Sequence, residues 1–157
     1  MDSHARSIIM FDGDCGLCNG FIAWLIRRDR HERFLIAGSA GEVGAAALET
    51  AGLSTEMAAS TLVLARGDQP RLRSDAVAAI AAELPWPWRA ASAIHWLPRA
   101  WRDGVYNAVA KRRPYRPAED PACGTPPPEL VAAWRARLAT LADVEALGYE
   151  KTPHRSR

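Results

Sequence analysis

The chain has 157 residues, a formal net charge of +2 and 48% hydrophobic residues, values that are ordinary for one folded domain. The charge is too small to indicate a nucleic-acid partner, and no apolar run approaches the roughly 20 residues that span a bilayer. The N-terminus lacks the apolar core of a signal peptide, which predicts a cytoplasmic location. Because structural disulfides are rare in that compartment, the three cysteines are expected to serve catalysis or metal binding.

The first elements predicted in chain order are a strand, a helix and a second strand. The segment Ile8 to Phe11 is a short apolar run typical of a buried strand. Apolar residues then recur at three- and four-residue spacing, which predicts a helix from about Leu17 to Asp29. A second apolar run, Phe34 to Ala37, follows the helix. The three elements therefore form a parallel, right-handed βαβ unit.

The elements that follow complete the order β-α-β-α-β-β-α. They are an alanine-rich helix from Glu42 to Ala51, a third strand from Thr61 to Ala65 and a short antiparallel edge strand from Arg71 to Arg73. Ser74 is the predicted N-cap of a helix from Asp75 to Leu84, and Asp75 falls where the helix dipole favours negative charge. This is the element order of the thioredoxin fold, so the chain is predicted to be an α/β protein with a thioredoxin-like core.

Beyond Leu84 the sequence predicts a helical C-terminal extension. Two helices, Ala91 to Leu97 and Pro98 to Arg112, follow a tryptophan- and proline-rich break, and a last helix begins near Pro128 with apolar residues on one side as far as Leu141. We therefore expect a single domain over residues 1–157. It consists of a thioredoxin-like core at 8–84, a helical extension at 85–147 and a flexible tail at 148–157.

The motif that carries the predicted chemistry lies between the first strand and the first helix. It is the octapeptide FDGDCGLC at residues 11–18, which places Cys15 and Cys18 where the helix begins. The first backbone N–H groups of a helix lack partners inside it, and the helix dipole favours negative charge there. Both effects stabilise a thiolate, which is the nucleophile in disulfide exchange. The sequence therefore predicts a redox pair in which Cys15 attacks and Cys18 resolves.

Two carboxylates, Asp12 and Asp14, lie within the same octapeptide. Asp14 either serves as the base that takes a proton from Cys18 or caps the helix start, and it opposes a Cys15 thiolate electrostatically. Asp12 is better explained as a capping or turn residue. A strand followed by D-x-D also resembles the opening of haloacid-dehalogenase-type phosphatases. That alternative makes Asp12 the nucleophile and Asp14 the acid/base, with Lys111 beside Mg²⁺.

Two further alternatives stay open at this point. The cysteine pair could be structural or half of a zinc site, although the remaining candidate ligands, His31, His95, Cys123 and His154, lack paired spacing. We expect the six tryptophans to lie chiefly in the core. Four of them, Trp86, Trp88, Trp96 and Trp101, nevertheless cluster in a short span. An exposed patch there would suit a protein or membrane-surface partner, and the chain would then be a non-catalytic interaction module.

The opening FDGDCGLCNGF at residues 11–21 resembles the D-x-D-C-x-x-C signature of the DCC family of thiol–disulfide oxidoreductase-like proteins. Residues 73–77, 97–107 and 111–123 are similar to later segments of that family. The resemblance implies a thioredoxin-like fold and disulfide exchange with a disulfide-containing protein or small molecule. The resemblance implies an external thiol reductant but no bound cofactor. Ser60 stands where thioredoxins carry a cis-proline just before the third strand, so substrate docking is expected to differ.

Several other residues are candidates for supporting roles near the cysteines. In a thioredoxin-like fold the loop with Arg73 and Ser74 faces the cysteine pair, so Arg73 could support the Cys15 thiolate; the alternative is a simple helix cap. Tyr106 is expected on a solvated helix face together with Lys111 and Arg112, although the family resemblance also permits a site-facing role. Cys123 is expected to be a small buried apolar residue, with a third redox partner as the alternative.

Overall fold

The computed structural model describes residues 6–13, 16–66, 69–112 and 128–147, without the side chains of residues 16, 17, 58–60 and 110. Asp14, Cys15 and Cys123 lie outside the described residues, and so does the predicted tail at 148–157. Within the described ranges, four strands form one sheet that is covered by helices on both faces.

The sheet has the topology that the element order predicts. Strands β1 (Ser7–Phe11) and β2 (Phe34–Gly38) are parallel and are joined by helix α1 (Gly16–Arg28). Strand β3 (Val63–Ala65) is antiparallel to β1, and β4 (Arg71–Leu72) is antiparallel to β3. The order across the sheet is β2-β1-β3-β4. With helices α2 (Glu42–Thr50) and α3 (Thr55–Ser60) before β3 and α4 (Arg73–Glu83) after β4, this is a thioredoxin-like α/β core, as predicted.

The central strand β1 is buried along its whole length because both faces of the sheet are covered. Ile9 and Phe11 pack on one face, in a core that also contains residues of α1 and α4. Ile8 and Met10 pack on the other face with residues of α2. A strand buried on both faces has no polar side to present, which explains why its sequence is a continuous apolar run rather than an alternating one.

In the core, one helix was not predicted and two local predictions are wrong. Helix α3 was not predicted; it begins after Ser54, whose hydroxyl accepts a hydrogen bond of 3.3 Å from the Met57 N–H. Strand β3 begins at Val63 rather than at Thr61. Ser74 is not an N-cap, because α4 already begins at Arg73 after Leu72 and has no side-chain cap. The Ser74 hydroxyl instead donates to Asp103 Oδ1 at 2.7 Å.

The extension contains a 3₁₀ helix (Trp88–Trp96) and the helices α5 (Arg99–Lys111), α6 (Pro128–Ala136) and α7 (Leu141–Ala146). The single last helix predicted from Pro128 onward is therefore wrong. The chain leaves α6 so that Leu138 can form a parallel bridge with Ile36 at the edge of β2. Helix α7 then begins in a capping box, in which Thr140 and Asp143 bond each other's backbone N–H groups.

A buried ion pair holds this part of the extension against the core. Arg137 donates to Asp29 Oδ2 at 2.7 Å and to the Asp29 carbonyl at 2.8 Å. The same carboxylate accepts the backbone N–H of Phe34 at 3.1 Å. Backbone hydrogen bonds from Ile36 to the Arg137 carbonyl and from Ala139 to the Ile36 carbonyl continue the sheet beyond β2. The end of α1, the start of β2 and the extension are thereby fixed at one point.

Candidate functional site

Cys18 is the third residue of α1, and its side chain is only 8% exposed. It belongs to the apolar core between the sheet and the helices α1 and α4. The first turn of α1 contains no acidic residue, so within that turn no carboxylate opposes a negative charge at the helix start. Cys15 immediately precedes Gly16, the first residue of α1, in the sequence.

The segment before α1 is tied to the helix by a side chain that the sequence analysis did not single out. Asn19 donates its amide N–H to the carbonyl of Gly13 at 2.8 Å. This hydrogen bond spans the two cysteine positions and links the end of β1 to the first turn of α1. Asp12 lies half-buried just after β1. The only sequence signal for the role of Asn19 is its place directly after the second cysteine of the motif.

A cavity of about 310 Å³ lies beside Cys18. Its lining is mostly apolar and comes from α1, the segment before β3, α4, the 3₁₀ helix and α5. The apolar lining residues besides the cysteine are Phe21, Leu62, Val77, Ile94, Val105 and Val109. The polar groups in the lining are the hydroxyls of Ser74 and Tyr106 and the guanidinium of Arg102. A buried thiol thus meets an apolar space with few polar groups around it.

Tyr106 connects α5 to the strand end that borders the cavity. Its hydroxyl accepts the backbone N–H of Leu62 at 3.1 Å and lies 3.2 Å from the Thr61 hydroxyl. The Leu62 carbonyl accepts the Arg73 N–H, so both backbone polar groups of Leu62 are paired. Because β3 begins at Val63, the residue directly before this strand is Leu62; Ser60, which we expected there, is the last residue of α3.

A cluster of charged and polar side chains holds α5 against the start of α4. Asp75 accepts hydrogen bonds from the buried Arg102 at 2.8 Å and from the exposed Arg99 at 3.1 Å. Burial acts to raise the pKa of Asp75, but the hydrogen bond from Arg102 and the positive charges of Arg99, Arg102 and His95 outweigh burial and lower that pKa below its usual value. The Asp75 carboxylate therefore stays ionised, and as an anion it binds Arg99 and Arg102 of α5.

The structure brings some of the predicted site residues together and leaves others apart. Cys18, Ser74 and Tyr106 share the cavity. Arg73 is exposed and outside the lining, with its backbone in the left-handed region at φ 53°. Lys111 and Arg112 are also exposed. Besides Asn19, the sequence analysis missed Arg102, because its acceptor Asp75 lies 27 positions away and no local pattern connects the two.

The tryptophans of the extension are mostly at the surface, contrary to the expectation that they lie chiefly in the core. Trp86, Trp96 and Trp101 are exposed. Trp88 is the partial exception, since its ring meets Trp24 edge-on at 4.9 Å and lies 4.8 Å from the Arg28 guanidinium. The expectation of exposed tryptophans in this span thus agrees with the structure, whereas a patch that binds a partner stays a prediction.

In the part of the chain that the structure describes, no three His, Cys, Asp or Glu side chains lie close enough together to hold a metal ion. No helix there combines the length and the apolar character needed to cross a membrane. Three of the polar residues in the cavity lining are bonded within the protein: Ser74 to Asp103, Tyr106 to the Leu62 N–H and Arg102 to Asp75.

The chain is similar to proteins of the family suggested by residues 11–21. It is 32% identical over 106 residues to the uncharacterized protein YuxK of Bacillus subtilis strain 168, an overlap covering 68% of this chain and 77% of the relative. It is 32% identical over 110 residues to a chloroplastic DCC family protein of Arabidopsis thaliana, covering 69% of this chain and 63% of the relative. No solved structure gives a significant match. The sequence profile of one family matches residues 9–117, well over half of the chain, and the protein therefore belongs to the DCC1-like thiol–disulfide oxidoreductase family.

Proposed function

We propose that this protein catalyses thiol–disulfide exchange through the Cys15–Cys18 pair. The observation that carries the proposal is the position of Cys18, in the first turn of α1 and beside an apolar cavity large enough for part of a substrate. Membership of an oxidoreductase family supports the reaction class. Cys15 is the nucleophile in this proposal, and Cys18 is the resolving thiol.

The roles of the two cysteines follow from their different surroundings. Cys15 precedes the helix, so its thiolate gains from the unpaired N–H groups and the dipole at the helix start. Cys18 is buried, and burial in apolar surroundings disfavours a thiolate. The more readily ionised thiol attacks first, because the thiolate is the reactive form.

The proposed reaction has two exchange steps. The Cys15 thiolate attacks one sulfur of the substrate disulfide, forming a mixed disulfide and releasing the other substrate sulfur as a thiolate that takes up a proton. Cys18 then loses its proton and attacks the Cys15 sulfur. The remaining substrate sulfur leaves as a thiol, and the Cys15–Cys18 disulfide forms. An external thiol reductant, which a cytoplasmic setting would supply, returns two electrons and two protons to the pair.

Deprotonation of Cys18 needs a nearby acceptor because its side chain has little contact with water. We assign this role to Asp14, which immediately precedes Cys15, as a general base. Asp12 then shapes the turn at the end of β1. Arg73 and Ser74 play no chemical part in this scheme, since Arg73 is exposed and the Ser74 hydroxyl is engaged with Asp103.

In this proposal the substrate enters the apolar cavity and does not bind by main-chain hydrogen bonds at the start of β3. The Leu62 N–H, directly before β3, already donates to the Tyr106 hydroxyl. A substrate chain would have to displace the Tyr106 hydroxyl to use that donor. The open route to Cys18 is the apolar cavity, which favours disulfides with apolar neighbours.

The test is a comparison of single cysteine variants with an aromatic disulfide whose released thiol absorbs visible light. The pre-reduced wild type, freed of reductant, should release two equivalents of the aromatic thiol and form the Cys15–Cys18 disulfide. Cys18→Ser prepared in the same way should release a single equivalent and then carry the substrate adduct on Cys15, as mass spectrometry would show. Cys15→Ser should release nothing above the uncatalysed rate. Cys123→Ser serves as the matched control and should retain activity. Equal release by wild type and Cys15→Ser would contradict the proposal.

A further inference from the structure

The outward side of α5 carries a row of large apolar side chains, which we call the α5 stripe: Trp101, Val105 and Val109. Their exposed fractions are 72%, 63% and 52%. Residues spaced by four lie on the same side of a helix, so the three side chains form one continuous row. Ile94 and Leu97, just before α5, are exposed as well. Exposed apolar surface of this kind is typical of a docking site.

Basic residues outnumber acidic ones in the sequence around the α5 stripe. The sequence from residue 86 to 112 contains five arginines or lysines and one acidic residue, Asp103. Arg99 and Arg102 pair with Asp75, whereas among the described residues Arg89, Lys111 and Arg112 form no ion pair. Lys111 and Arg112 lie at the C-terminal end of α5, next to Val109. The surface is therefore apolar along its centre and cationic at its end.

We propose that the α5 stripe docks on the surface of a lipid bilayer that contains anionic lipids. Trp101 suits the headgroup region, because an indole has an apolar ring and one polar N–H group. The valines would enter the apolar boundary, and the ammonium of Lys111 and the guanidinium of Arg112 would contact lipid phosphates. Together these groups give the combination of apolar and basic side chains that holds an amphipathic helix at a membrane interface.

The charges favour a bilayer over a second copy of the chain. A twofold dimer through the α5 stripe presents the same patch from both copies. With the two α5 helices parallel, Lys111 and Arg112 of one copy would meet the same residues of the other, and like charges across an interface are unfavourable. With the helices antiparallel, Lys111 and Arg112 would face the N-terminal end of α5, where the carboxylates of Asp75 and Asp103 are already paired with arginines. An anionic lipid surface complements the patch instead.

Docking of this kind would also orient the cavity. Val105 and Val109 belong both to the α5 stripe and to the lining beside Cys18. The mouth of the cavity would therefore lie at the lipid interface. The docking proposal rests on the surface of α5 alone, so it stands or falls independently of the exchange reaction proposed for the cysteines.

The experiment is flotation of the full chain with phosphatidylcholine vesicles, made with and without phosphatidylglycerol. We expect binding to the anionic vesicles, a blue shift of tryptophan emission on binding, and loss of binding as salt is raised. Val105→Glu should weaken binding by on the order of tenfold, since it removes an apolar group that would enter the bilayer and adds a negative charge. Leu141→Glu is the matched control, because Leu141 is an exposed apolar residue on α7, and it should bind as the wild type does.

A second pair of variants tests the charge. Lys111→Gln combined with Arg112→Gln should weaken binding by about fivefold for each charge removed. Arg27→Gln combined with Arg30→Gln changes the net charge equally at exposed positions outside α5 and should have little effect. Circular dichroism of every variant checks that it is folded.

Three results would overturn the proposal. The first is absence of binding to anionic vesicles by the folded wild type. The second is an equal loss of binding in Val105→Glu and Leu141→Glu. The third is a concentration-dependent dimer, measured by light scattering, that Val105→Glu dissociates, since this would assign the α5 stripe to a second copy of the chain.

Discussion

Among the described residues, ion pairs attach the extension to the core at two places, and the two attachments are built from the same chemistry in different surroundings. At the edge of β2, the Arg137–Asp29 ion pair is almost completely buried. At the start of α4, the Asp75 carboxylate accepts from Arg102 and Arg99 but keeps part of its surface in water. Both use arginine and aspartate at hydrogen-bonding distance. They differ in how well water can solvate the charge that remains when one partner is removed.

The two attachments are expected to affect different properties: one the stability of the fold, the other the cavity beside Cys18. A buried charge that loses its partner has no water to replace it, whereas a partly exposed charge is solvated. The β2 attachment should therefore control whether the chain folds. The α4 attachment borders the cavity beside Cys18, so changes there should alter that cavity while the core persists.

The largest effect is expected from Arg137→Ala. This variant leaves Asp29 buried and unpaired, and we expect the free energy of unfolding to fall by about 3–5 kcal/mol. Urea denaturation measures it. The matched control is Arg135→Ala, which removes an exposed arginine two residues earlier and should change stability by less than about 0.5 kcal/mol. Similar losses in both variants would show that the buried pair is not the main attachment.

A smaller loss is expected from Arg102→Ala. Removing this buried guanidinium takes away the hydrogen bonds to Asp75 and to the Leu97 carbonyl, which should cost about 1–3 kcal/mol. Arg99→Ala removes a side chain that is 73% exposed from the same carboxylate and should cost less than about 1 kcal/mol. If Arg99→Ala were as destabilising as Arg102→Ala in urea denaturation, burial would not be the deciding factor.

Tyr106→Phe should cost about 1 kcal/mol, because the Leu62 N–H loses its acceptor at a partly buried position. Thr61→Val removes the hydroxyl that lies 3.2 Å from the Tyr106 hydroxyl but leaves the hydrogen bond between Tyr106 and Leu62 in place. We expect Thr61→Val to be less destabilising than Tyr106→Phe when both are measured by thermal unfolding. The reverse order would indicate that the Thr61 hydroxyl, and not the Leu62 N–H, is the important partner.

The smallest effect is expected in the pH dependence of stability. The pKa of Asp75 is lowered in the folded state, so its contribution is present above the ordinary pKa of 3.8 and is lost as the pH falls through the lowered value. Asp75→Asn should therefore show a weaker loss of stability in acid than the wild type. Urea denaturation over an acidic pH series measures the slope. Glu129→Gln, at an exposed carboxylate on α6, is the control and should keep the wild-type slope.

The parts of the fold that depend on neighbours in the sequence were predictable. The unit β1-α1-β2 was located to within about two residues, because buried strands and amphipathic helices leave periodic apolar patterns. The motif at residues 11–18 also predicted that Cys18 lies at the start of a helix, as it does. The roles of Asp14, Cys15 and Cys18 in a reaction stay predictions.

The parts that depend on distant contacts were not predictable. Just after α6 ends, Arg137 contacts Asp29, 108 positions away, and Leu138 bridges Ile36; nothing local in the sequence marks that break. Ser74 looked like a helix cap, but its hydroxyl bonds Asp103 on α5. The α5 lining of the cavity was missed for the same reason. A single sequence shows which residues are apolar, but it does not show which element an apolar face will meet.

The most direct test of the proposed redox function is a titration of the cysteines in glutathione buffers of graded redox potential, with trapping of thiols and mass spectrometry of the peptides. We expect one two-electron transition in which Cys15 and Cys18 form a disulfide with each other, while Cys123 is still recovered as a thiol. A transition that links either motif cysteine to Cys123, or the absence of a bond between Cys15 and Cys18 across the series, would contradict it.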